Sequence, residues 1–265
     1  MKKFSISILI LCLFVSTIAL VACGSDDDPS EGNKPGSPSS KCIAKIIEEE
    51  GNSIYESVLS YDSQGRVVKI TGTRSSAGTS SQSEKTYQYG EAVIVTKEEE
   101  SGTYSNGQSF THTENHSFTL KNGLIVKDEE KQGSSSTMST YSYNGNNYLT
   151  SISTSGSNVE SNTKVLTWTD GCLTKLDERT FTYSTIPWQK GFPVYLNGSN
   201  TDQYLFSMGY YGNTPKYLPS KYTTSQNTGW SYEYTLNGNF ITQVTTTPTT
   251  VDNKRNVSII TIIWE

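Results

Sequence analysis

Two histidines and four cysteines in 265 residues leave little material for a metal cluster or a histidine-based catalytic centre. Only 18% of the chain is charged, and the strong helix formers are outnumbered by 38 Ser and 34 Thr, so a mostly helical fold is excluded. Acids exceed bases, 26 to 21, for a net charge of -5, which argues against nucleic acid as a partner. The sequence contains no Cys-x-x-Cys, no nucleophile elbow and no Gly-rich phosphate loop. It has one long apolar run, Phe4 to Leu20, and a surplus of 17 Tyr and 21 Gly that favours strands and turns.

That apolar run follows Lys2 and Lys3 and ends in small residues, the plan of a secretory signal. It is short for a permanent membrane span of ~20 residues. Leu20-Val21-Ala22-Cys23-Gly24 resembles the lipobox of bacterial lipoproteins, so residues 1–22 read as a signal peptide and Cys23 as the lipidated mature N-terminus. Several acyl chains on one residue anchor durably, since each buried CH₂ contributes ~0.8 kcal/mol. Ser25-Asp26-Asp27-Asp28 resembles the surface-export signal of Bacteroidetes-type lipoproteins, which places the chain at the outer membrane, facing the cell exterior or, in the alternative, the periplasm.

Residues 23–40 carry Pro29, Gly32, Pro35, Gly36, Pro38 and several Ser without a large apolar residue, the composition of a flexible tether. Residues 41–265 then form a single domain. Cys12 leaves with the signal and Cys23 takes lipid, so Cys42 and Cys172 remain either as a disulfide pair or as two free thiols.

Within the domain one unit recurs: an aromatic or Leu, any residue, a second aromatic or Leu, a turn containing Gly, then a β-branched run. It appears at Leu59-Ser60-Tyr61, Tyr87-Gln88-Tyr89, Phe118-Thr119-Leu120, Tyr141-Ser142-Tyr143, Leu166-Thr167-Trp168 and Tyr232-Glu233-Tyr234. Asn-Gly or Asp-Gly after most of these is a strong hairpin signal, because both residues tolerate the positive φ of a tight turn. The period-2 alternation gives each strand one apolar face. Tyr204 to Asn213 reads as a degenerate seventh hairpin, and 71–84, 97–109, 127–137 and 153–163 read as long polar links between strands. The expected fold is an all-β, antiparallel up-and-down meander of about 12–14 strands, closed as a barrel or curled as a half-barrel to remove exposed edges.

Tyr61-Asp62-Ser63-Gln64-Gly65-Arg66-Val67 resembles one YD (Rhs-type) repeat, echoed weakly at the other turns. Lipobox, acidic tether and Tyr/Gly hairpins together resemble an uncharacterised family of Bacteroides-type lipoproteins, a domain of unknown function with a porin-like fold. The resemblance implies that fold and carries no activity or catalytic position; a transmembrane barrel is compatible with the alternation, but the lipid anchor and the high polar fraction favour a soluble one.

Among candidate site residues, His112, Glu114 and His116 share one strand face, which permits a metal or, more simply, a solvated polar edge. Glu48 to Glu50, Glu98 to Glu100 and Asp128 to Glu130 invite a glycosidase reading, yet consecutive strand residues alternate faces, and solvated charge is the simpler account. Aromatic rings suit sugar stacking. The irregular, Pro-containing stretch around Trp188, Tyr195, Tyr211 and Tyr217 is the expected ligand-binding surface. No cofactor is expected. The leading expectation is a non-enzymatic lipoprotein, held to the membrane by its anchor, that binds an extracellular ligand such as a glycan. A structural or partner-binding component of an outer-membrane complex is the alternative, and a hydrolase a third.

Overall fold

The computed structural model describes residues 41–157, 159–193, 201–249 and 257–265. Sixteen strands follow in chain order: β1 (Ile43–Glu50), β2 (Ser53–Tyr61), β3 (Val67–Ser76), β4 (Thr79–Tyr89), β5 (Val93–Thr103), β6 (Ser109–Lys121), β7 (Leu124–Gln132), β8 (Ser135–Tyr143), β9 (Leu149–Gly156), β10 (Asn162–Thr169), β11 (Cys172–Leu176), β12 (Arg179–Pro187), β13 (Tyr217–Thr223), β14 (Gly229–Asn237), β15 (Phe240–Pro248) and β16 (Ser258–Trp264). Each pairs antiparallel with its chain neighbours, and β1 pairs with β16, so the meander closes into a barrel. The one described helix, α1 (Gln203–Ser207), belongs to the long β12–β13 connection.

The barrel has more strands than the expected 12–14, because β1, β12, β13 and β16 lie outside the recurring tight-turn units, and the segments that read as links are the far halves of strands those units already contain. Residues 71–84, for example, continue β3 to Ser76, turn at Ala77-Gly78 with φ of 38° and 86°, and return as β4. Sequence alternation fails there because both faces are polar. Inward residues include Arg74, Ser83, Glu98, His112 and Glu114, and their outward neighbours are Ser, Thr, Gln, Asn, Lys and Glu. Tyr204 to Asn213 is not a hairpin but α1 and the loop after it.

The recurring sequence unit divides its two apolar positions between two tasks. The first is core: Leu59, Tyr87, Phe118, Tyr141 and Leu166 are at most 6% exposed. The second lies at the rim and caps a carbonyl at the start of the preceding strand. Tyr61 donates to the Ile43 carbonyl at 2.8 Å, Tyr89 to Val67 at 2.8 Å, Tyr143 to Ile125 at 2.5 Å and Trp168 Nε1 to Leu149 at 2.7 Å. Tyr183, Tyr234 and Trp264 repeat the contact on Leu173, Pro219 and Ile241 at 2.7 Å each. These rings bury apolar area while their polar tips occupy carbonyls at the strand ends. The YD-like turn is held separately: Asp62 Oδ1 accepts the Gln64 and Arg66 N–H groups at 2.9 and 3.0 Å, and Oδ2 pairs with the Arg66 guanidinium at 2.6 Å.

Outside, the wall carries ion pairs across its middle: Lys45–Glu56 at 2.7 Å, Lys69–Glu84 at 2.6 Å, Lys97–Glu99 at 2.8 Å and Lys127–Glu129 at 2.7 Å. A lipid-facing barrel presents an apolar band at this height. Among the described residues no helix is long and apolar enough to cross a membrane.

The rim contacts generate a direct test. Tyr143→Phe leaves the Ile125 carbonyl without its hydroxyl donor, and urea unfolding should show a loss of about 1–2 kcal/mol. An unchanged midpoint would make the aromatic ladder incidental.

Candidate functional site

A barrel of sixteen strands is wide enough to leave a water-filled channel unless something enters it. Here the described residues 201–213 of the β12–β13 connection occupy the barrel at the tight-turn rim. Leu205, Phe206 and Tyr211 are at most 2% exposed inside the barrel. The Phe206 ring meets Trp188 edge-on at 5.9 Å, and Tyr141 meets Tyr211 at 5.0 Å. The plug crosses the rim where the aromatic ladder is interrupted: at this position β6 carries Leu120, which has no polar tip. At that gap Tyr210 stacks on Tyr89 at 5.8 Å, and its carbonyl accepts the Ile125 N–H at 2.8 Å. Gly212, with φ of 86°, lies so close to the Asn147 carbonyl that a Cβ could not fit.

Asp202 fastens this plug to the wall. As the N-cap of α1 its Oδ1 accepts the Tyr204 and Leu205 N–H groups at 3.0 and 2.9 Å. Its Oδ2 receives Lys85 at 2.9 Å and the Tyr87 hydroxyl at 3.0 Å, both from β4. Burial alone would raise the Asp202 carboxyl, but Lys85 and these donors outweigh it and hold the group below its ordinary value. Burial likewise opposes the Lys85 charge, and the Asp202 carboxylate overcomes it, so the ammonium is held more tightly than usual.

Beyond the plug the lumen turns polar along β4 to β7. His116 lies between two carboxylates: Nε2 is 2.5 Å from Glu114 Oε1, and Nδ1 is 3.0 Å from both Asp128 oxygens. Despite burial, Asp128 and Glu114 raise the imidazole to about 9. The His116 bond, acting against burial, lowers Glu114 to about 2. Burial raises Asp128 in spite of its bond to His116. Glu130 is raised by burial and then by Glu114. Glu98 and Lys85 approach to 3.7 Å, and Gln132 meets His112 at 3.1 Å. Nearer the far end Arg74 lies over the Tyr55 ring at 4.8 Å. With carboxylates at both nitrogens, His116 is a fixed charge rather than a base.

The residues expected to bind ligand are not gathered on one surface. Tyr211 is fully buried in the plug, where its hydroxyl accepts the Asp202 N–H at 3.3 Å, so it is a packing residue. Trp188 packs on Phe206, and Tyr217 is half-buried at the start of β13 with Lys216 over its ring at 5.1 Å. Tyr195 and Cys23 lie outside the described residues.

Cys172 is a free, buried thiol, so the Cys42–Cys172 pair does not form. Five strands separate β1, beside Cys42, from β11, which carries Cys172, a distance along the wall of roughly 29 Å. A disulfide tolerates only about 7 Å between Cα atoms.

His112, Glu114 and His116 do share the inner face, as the spacing predicts; His112 and Glu114 stay partly solvated, with side chains 36% and 27% exposed, and His116 is enclosed between its carboxylates. Asp128, read as solvated charge, is 7% exposed. Among the described residues no three His, Cys, Asp or Glu side chains are arranged to hold a metal ion. Lys85 and Asp202 carry no local sequence signal, because they meet across 117 positions and only the closed barrel brings them together.

Two outcomes follow. Asp202→Asn strands the Lys85 charge and should cost about 3–5 kcal/mol in denaturant unfolding, while adding Lys85→Met should restore part of the loss. Full additivity of the two changes would contradict the pairing. The His116 pKa is raised on folding, so its contribution is complete below about 6.5 and is lost as pH rises through about 9. Unfolding free energy should therefore fall between pH 7 and 10, and the fall should shrink in His116→Gln. An equal fall in that variant would show that other groups govern the slope.

The barrel, its plug and its polar lumen can be compared with known proteins. A family profile described as a domain of unknown function (DUF4595) with porin-like fold matches residues 59–258. The crystal structure of a porin-like protein from Bacteroides uniformis ATCC 8492 aligns with a TM-score of 0.62 at 16% identity, covering 84% of this chain and 96% of that one. A second porin-like protein, from Bacteroides vulgatus ATCC 8482, aligns at 0.47 with 12% identity, over 85% and 99% of the two chains. No curated protein matches the chain. With the profile spanning most of the chain, and the sixteen-stranded barrel agreeing with it, the protein belongs to the DUF4595 family of porin-like fold.

Proposed function

We propose that this chain is a lipid-anchored cell-surface protein that binds an extracellular ligand, a glycan foremost, without transforming it. The observation that carries the reading is the combination of a plugged lumen with a charged outer wall. Buried Asp202 ties the plug to β4, which disfavours a through-channel, and the ion pairs across the outer wall disfavour immersion in lipid. A rigid wall of this kind is suited to displaying side chains to a ligand. The network supports binding over catalysis, since His116 has no nitrogen free to take a proton and Lys85 is held as an ion pair. The lipobox around Cys23 and the acidic segment after it supply the anchor and the outward orientation.

The chain from Gly24 onward should retain glycans on a broad array. Cells expressing the full chain should retain the same glycans and lose that ability when Cys23→Ala releases the protein. Retention of no glycan contradicts the binding reading, and unchanged retention by Cys23→Ala cells contradicts the anchor.

A further inference from the structure

We propose that the outer face of β3 to β6 holds a binding groove for a neutral, linear oligosaccharide lying across the strands. The inference rests on the glycan-binding reading above and gives it a location and a ligand class. A groove of about 550 Å³ crosses these four strands near the end of the barrel opposite the plug. One wall is the cross-strand row Thr73, Gln82, Ser101 and Thr111, each paired in register with the next. Ser80 and Thr103, also in register, stand on the other wall, two residues further along their strands. The groove lies on the outer side, because on the lumen side the Phe110 ring covers Gly102, 2.7 Å from where a Cβ would stand.

Three features select the ligand. The walls carry hydroxyl and amide groups, which donate and accept, and among the described residues none of these six side chains is engaged by another protein group. The two walls are uncharged: of the residues lining the groove only Arg74 carries a charge, and its guanidinium is turned to the lumen side, over the Tyr55 ring at 4.8 Å, while one row further along Glu84 and Glu99 are neutralised by Lys69 and Lys97 at 2.6 and 2.8 Å. A charged polymer would find no counter-charge inside the groove. Finally, the polar groups repeat at the strand spacing of about 4.8 Å, close to the length of one pyranose unit, so successive sugars can meet successive strands. A neutral sugar chain matches all three features, whereas an apolar ligand leaves the polar groups unpaired and an ionic one finds no counter-charge on the walls.

The test uses the chain from Gly24 onward against the same array and, in solution, against cellohexaose, mannohexaose and xylohexaose. Binding should be insensitive to added salt, since no ion pair contributes. The exposed double variant Gln82→Ala/Thr111→Val should weaken it by roughly tenfold or more through the loss of two polar partners. Thr140→Val, on the outer face of β8 away from the groove, should bind like the parent. Parent binding that survives in the double variant overturns the groove and leaves the general reading standing. Absence of binding by the parent to every array glycan and hexasaccharide overturns both.

Discussion

A closed wall of sixteen strands encloses more width than its own inward side chains can fill, and the rest of the structure answers that constraint. The answer is a length of chain turned inward between β12 and β13, anchored by one carboxylate. Asp202 caps a five-residue helix and, from the same position, takes a proton donor and a cation from β4. So short a helix has little stability alone. It persists because its cap is part of the wall. The network that begins at Lys85 and continues through Glu98 to Glu114, His116 and Asp128 extends the same principle, with each buried charge held by an opposite one.

The hairpin repeat was legible because its chemistry is local. Asp62 closes its own turn, and Asn122-Gly123 and Asp170-Gly171 adopt positive φ at both residues, as such dipeptides predict. The second aromatic of each unit was visible as a recurring Tyr or Trp, though the carbonyl it caps belongs to another strand and could not be read. The far halves of β3 to β10 were hidden, because alternation identifies a strand only where its two faces differ. With Glu98 and His112 inside and Lys97 and Thr111 outside, the pattern becomes uniformly polar and imitates a link.

The plug escapes local sequence pattern for a related reason. Tyr204-Leu205-Phe206 has the composition of the strand units, and nothing within ten residues shows that Asp202 will find Lys85. The same limit applies to the aromatics proposed as a ligand surface. Tyr211 reads as an exposed loop ring in a Pro-rich stretch, yet the barrel supplies Tyr141 and Phe206 to bury it. Burial in a closed barrel is decided by what enters it, and contacts of this range leave no trace in local pattern. The outer groove was equally invisible, since Thr73, Gln82, Ser101 and Thr111 are four ordinary polar residues until pairing sets them in a row.

The plug is a permanent part of the fold, and native-state hydrogen exchange measures that permanence most directly. The Leu205 N–H is held by Asp202 and the Ile125 N–H by the Tyr210 carbonyl. Both should exchange as slowly as the paired amides of β4 and β5, by opening of the whole barrel. Fast exchange at these two positions, with the strands still protected, would contradict the account, because the lumen would then open while the wall stayed closed.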